Sequence, residues 1–113
     1  MNRNKIKVKD LMTLERILLE METLIKFELA FDDAYRLNCY ITEIGKITDF
    51  AFLIQREYGN VTKDEDKMKE YHERTMDSIV DYDYAEVAEF IERILSIHPN
   101  EEMKKMVDGL KFW

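Results

Sequence analysis

Residues 37–59 read LNCYITEIGKITDFAFLIQREYG, and the spacing of apolar side chains in this stretch decides the fold. Leu37, Tyr40, Ile44, Ile47, Ala51, Ile54 and Tyr58 follow one another at intervals of 3, 4, 3, 4, 3 and 4 residues. A period of 3.5 held over three heptads is the seam of a helix lying nearly parallel or antiparallel to another helix. Gly59-Asn60 is a stop signal behind the last seam residue. The stretch therefore predicts a helix over about 32–58, with Asp32 and Asp33 capping its start and complementing its positive end. Gly45 lies inside that helix, where glycine costs about 1 kcal/mol relative to alanine. Two readings are open for it, simple tolerance and a close helix crossing.

Working outward, Leu11, Leu14, Leu18, Met21 and Ile25 repeat at 3, 4, 3 and 4 residues, with Asp10 as a cap. A helix over about 10–27 follows, with Glu22 and Lys26 as an i,i+4 pair. The short break between the helices, KFELAFDD, predicts a long antiparallel helical hairpin. Downstream, Thr62 and Glu65 match a capping box and open a helix over about 63–79. Its apolar side carries Met68, Tyr71, His72, Thr75, Met76 and Ile79. Asp83 and Glu86 form a second box before a helix over about 84–97, which Pro99 ends. Asn100 caps a last helix over about 101–110. The chain thus reads as a single, mainly α domain over 1–113. One competing pattern is the strict alternation of KIKVK at 5–9 and VDYDY at 80–84. Paired as short strands, these would set Lys5, Lys7 and Lys9 against Asp81 and Asp83.

Composition limits what such a domain can do. Three glycines and one proline among 113 residues leave little room for long loops or a strand-and-turn fold. The longest apolar run, Phe50–Ile54, is five residues, far short of a membrane span. The basic start lacks the apolar segment of a signal peptide, and the lone Cys39 fits a reducing, cytoplasmic setting. The net charge of −7 concentrates in residues 62–102, where thirteen acidic and five basic side chains stand. That field disfavours direct binding to nucleic acid or anionic membrane and favours a basic protein partner.

The segments KIKVKDLMTLERIL and FDDAYRLNCYITEIGKITDF, followed by LIQREYG, resemble a group of small uncharacterised proteins of tailed phages and prophages. The likeness spans roughly residues 4–60. It lies in a basic-apolar strand, a helical hairpin, the Phe31, Ala34, Tyr35, Arg36, Leu37 motif and the closing Tyr58-Gly59. It implies a phage or mobile-element origin and action in the bacterial cytoplasm, and it implies no particular reaction.

No residue pattern identifies a catalytic, cofactor or metal site. His72 and His98 lack partners at zinc-ligand spacing, and His72 is expected half-buried on its helix. Cys39 has no base nearby, and Ser78 and Ser96 lie in no nucleophile turn. Asp81-x-Asp83-x-x-Glu86 lacks the glycine of a calcium loop. What remains are interaction features. Asp66, Glu70, Glu73 and Asp77 form a carboxylate row, continued by Asp81, Asp83, Glu86 and Glu89. This surface would let a non-enzymatic acidic protein bind and inhibit a basic, nucleic-acid-binding host protein such as a defence nuclease. Alternatively, the seam from Leu37 to Tyr58 would form a homodimer, or an assembly module docking a virion or host protein. Seven methionines and thirteen aromatics, with a terminal LKFW, favour binding surfaces in either case.

Overall fold

Two helices of unequal length set the frame of the computed structural model. The described residues are 4–61 and 64–113, without the side chains of 58–61. Strand β1 (Lys5–Lys7) runs directly into helix α1 (Val8–Ile25), and a 3-10 turn (Lys26–Glu28) leads to helix α2 (Phe31–Val61). Helix α3 (Glu65–Asp77), strand β2 (Ile79–Asp81), helix α4 (Tyr84–Ile97) and helix α5 (Glu101–Leu110) follow. The mainly α architecture and the hairpin of α1 with α2 are as the periodicity predicts. At 1.5 Å per residue the 31 residues of α2 span roughly 46 Å, which accounts for the 49 Å long axis of the molecule.

The core forms where α1, the first half of α2, α4 and α5 meet. Leu11, Leu14, Ile17, Leu18, Met21 and Ile25 of α1 are fully buried with Leu37 and Ile44 of α2. Val87, Phe90, Ile91 and Ile94 of α4 join them, and Met103 and Val107 of α5 close the far side. Each such side chain contributes about 1.5–3 kcal/mol by leaving water. Helix α3 buries no side chain fully. It lies on α2 through Met68, Tyr71 and Thr75 and beside α1 through Met76, all half-buried.

The ribbon is antiparallel, in the register Lys5 to Asp81, Ile6 to Val80 and Lys7 to Ile79. It is shorter than the alternation over 5–9 and 80–84 suggests, because Val8 and Lys9 already belong to α1. Backbone bonds from Val8 N to Ser78 O and from Tyr82 N to Asn4 O, both 2.9 Å, close its two ends. Lys5 pairs with Asp81 across the strands as expected. Lys7 and Lys9 instead approach Asp77, at 4.0 and 3.5 Å, and neither reaches Asp83.

Helix starts differ from the sequence reading in instructive ways. Helix α3 is capped by Asp64, whose Oδ1 accepts from Asp66 N and Lys67 N; the expected cap, Thr62, lies outside the described residues. Asp83 occupies the cap position of α4 but makes no side-chain cap bond, and Glu86 accepts from the Tyr40 hydroxyl at 2.9 Å instead. The α1 cap position is Lys7, which leaves Asp10 in the first turn. Helix α2 begins at Phe31, so Asp32 and Asp33 also sit inside a first turn, where they favour the positive helix end. It also runs through Gly59 and Asn60 to Val61. Asn100 caps α5 as expected, accepting from Met103 N at 3.0 Å. Lys26 leaves the helical register and lies 5.1 Å over the Phe27 ring, and no Glu22–Lys26 pair forms among the described residues.

Candidate interaction surfaces

The seam of α2 divides into a buried and an open half. Leu37, Tyr40 and Ile44 are buried, Ile47 and Ala51 are half-buried, and Ile54 is 44% exposed. The side chain of Tyr58 lies outside the described residues. The cause is geometric: a heptad pattern on a straight α-helix drifts about 20° per heptad. The later seam residues therefore rotate away from α1. They turn toward an open groove of about 550 Å³ floored by Ile47, Ala51 and Ile54, with Tyr71 and Thr75 of α3 and Val80 of β2 on its walls. Lys46 lines it too, and Phe50, 64% exposed, stands on its edge. A second groove of about 800 Å³, on the adjoining face of α2, is lined by Lys46, Asp49, Phe50, Leu53 and Arg56.

The non-seam residues Phe50 and Leu53 extend the exposed apolar surface beyond the seam, and the heptad pattern passes over them. Their signal in the sequence is FAFLI, an apolar run longer on one helix than a single buried stripe requires. A separate aromatic tip sits at the hairpin turn, where Phe27, Phe31 and Tyr35 are all exposed. The terminal LKFW, in contrast, folds back on α4. Trp113 Nε1 donates to Glu92 Oε1 at 3.2 Å, and Lys111 Nζ lies 2.7 Å from the same oxygen. The hydrogen bond from Lys111 holds the Glu92 carboxyl below its ordinary pKa.

The eight acidic residues are all exposed, yet they do not form one uninterrupted negative face. Asp66, Glu70, Glu73 and Asp77 line the outer side of α3. Glu70 takes Arg74 one turn on at 3.3 Å, Asp77 faces Lys7 and Lys9, and Asp81 holds Lys5. Glu86 turns toward α2, and Glu89 lies beside the folded-back tail, lining a small cavity with Glu92 and Trp113. Asp66, Glu73, Asp83 and Glu89 make no ion pair among the described residues.

A polar cluster at the junction of α2 and α4 has no counterpart in the sequence reading. Tyr40 donates to Glu86, and Tyr82 donates to Glu43 at 3.3 Å. Burial, with the neighbouring Glu86 carboxylate, pushes the Tyr40 hydroxyl up to about 12, and burial with Glu43 pushes Tyr82 up as well. Tyr40 also meets Phe90 edge-on at 5.3 Å. Arg93 lies over Phe90 and forms a two-pronged pair with Asp33, at 2.8 and 3.4 Å. Such a fork is the strong form of this contact, and its hydrogen bond holds the Asp33 carboxyl down. These contacts clamp α4 to the first half of α2.

His72 is exposed, contrary to the half-buried placement expected of it, with Nδ1 3.1 Å from Gln55 Oε1. Cys39 is a half-buried free thiol. No described helix is long and apolar enough to cross a membrane. Comparison of the chain with protein-family models, with curated proteins and with solved structures finds no match, so a functional reading rests on geometry alone.

Proposed function

We propose that this is a non-enzymatic protein-docking module that engages another protein through the second half of α2. The observation that carries the reading is the open groove along Ile47, Ala51 and Ile54 with Phe50 at its edge. Apolar residues at i, i+4 and i+7 beside a concave wall are the pattern by which one amphipathic helix receives another. Polar replacements at Phe50 and Ile54 would cost the fold little, because these two side chains are exposed. The acidic row supports a second reading, the inhibition of a basic, nucleic-acid-binding protein of the cell in which a phage or mobile element resides. In its favour stand Asp66 and Glu73, exposed on α3 without an ion-pair partner among the described residues. The docking reading is preferred because Asp77 and Asp81 are already neutralised by lysines of the same chain.

The test uses the apolar anionic dye ANS at submicromolar protein, with fluorescence as the readout. The wild type is expected to bind it, and Phe50→Asp and Ile54→Asp to lose most of the signal while keeping helicity and Tm. Dye binding unchanged in both variants would rule out the groove as an apolar docking surface.

A further inference from the structure

We infer that a second copy of the same chain packs antiparallel across α2, on the exposed strip that borders this groove and shares Lys46 and Phe50 with it; the inference rests on the docking reading. Its basis is a strip that the seam does not include. Lys46, Phe50, Leu53 and Glu57 are all exposed and are spaced 4, 3 and 4 residues apart. At 100° per residue they fall within about 60° of one another and cover roughly 16 Å of the helix.

The order base, apolar, apolar, acid turns into its own complement when the helix direction is reversed. A two-fold axis midway between Ala51 and Phe52 sets Phe50 against Leu53 of the second copy. It sets Lys46 against the second copy's Glu57, and each contact occurs twice, as an isologous interface requires. Asp49 and Arg56 flank the strip on one side; the same axis sets Asp49 against Ile54 and Arg56 against Ile47 of the second copy, two residues out of register with each other. None of these four charged residues makes an ion pair within the chain among the described residues. A parallel arrangement would bring Lys46 against Lys46 and Glu57 against Glu57, so the charges select the antiparallel one. The contact is short, at the small end of specific interfaces, and association is accordingly weak and concentration-dependent.

The experiment is sedimentation equilibrium on the full chain from low micromolar to millimolar concentration. The wild type is expected to approach twice its 13.6 kDa. Lys46→Glu and Glu57→Lys each bring like charges together at both ends of the strip, and each is expected to weaken association roughly tenfold or more. Mixing the two variants restores opposite charges at both contacts and should restore the doubled mass, as should the double variant K46E/E57K. A doubled mass untouched by either reversal, or no recovery on mixing, would overturn the inference. So would a wild type of 13.6 kDa at every concentration. In that case retained dye binding at Phe50 and Ile54 leaves the docking reading standing with another occupant, and lost dye binding removes both.

Discussion

At the scale of single residues, Glu15 is the group whose environment works against its charge. Its carboxylate lies between α1 and α2, 3.4 Å from the Thr48 hydroxyl and close to Asp49. Burial raises its pKa above the ordinary 4.5, the Thr48 hydrogen bond offsets part of that, and Asp49 adds to it. Because the folded state disfavours the ionised form, Glu15 costs stability above its raised pKa. That cost shrinks as pH falls through the raised folded value and is gone below 4.5, where both states are protonated. Glu15→Gln keeps the acceptor for Thr48 and removes the charge. It should raise Tm by about 2 °C at pH 7 and give no gain in acid below the ordinary carboxyl range. A gain independent of pH would assign the effect to packing. The same carboxylate explains Gly45: a Cβ there would stand 3.4 Å from Glu15 Oε2. That is ordinary contact with a flexible side-chain end, so tolerance describes this glycine better than a close backbone crossing.

At the scale of elements, the two helix starts that sequence reading treats alike behave differently. Asn100 accepts a backbone bond from Met103, whereas Asp83 makes no side-chain bond at the start of α4. Asn100→Ala should therefore cost about 1 kcal/mol and Asp83→Ala close to nothing, read by urea denaturation. Equal costs would contradict the assigned caps. The contrast shows which parts of the fold are legible in a sequence. Periodicity exposes α1, α2, α4 and α5 because their core faces repeat strictly. Asn100 is legible because it is the only residue between Pro99 and the helix that can cap it. Asp83 reads as a cap on spacing alone, but its box partner Glu86 has a stronger donor in Tyr40, 46 residues away. The ribbon is visible in the alternation of KIKVK. Its end is not, because Val8 is buried by starting α1 rather than by continuing the strand.

At the scale of the whole molecule, the proposed docking role rests on a mismatch of lengths and periods. The core is complete with the first half of α2, and the 31-residue helix continues past it. Its heptad pattern suggests a seam that ought to be buried throughout. Its partner α1 has only 18 residues against the 31 of α2, so the later seam opens into a groove with the exposed strip beside it. Sequence reading offers the α2 seam as its alternative interaction surface; the core consumes Leu37, Tyr40 and Ile44, while Ile47, Ala51 and Ile54 line the groove, and Phe50 and Leu53 are passed over. The acidic row is equally legible as charge. Its pairing with Lys5, Lys7 and Lys9 depends on the ribbon bringing residues some 70 positions apart side by side. The most direct test of α2 as the docking element is amide hydrogen exchange measured across the association range. Amides of residues 46–57 should exchange more slowly at high protein concentration than at low, with those of α4 and α5 unchanged. Exchange in 46–57 that stays constant while the mass doubles would contradict it.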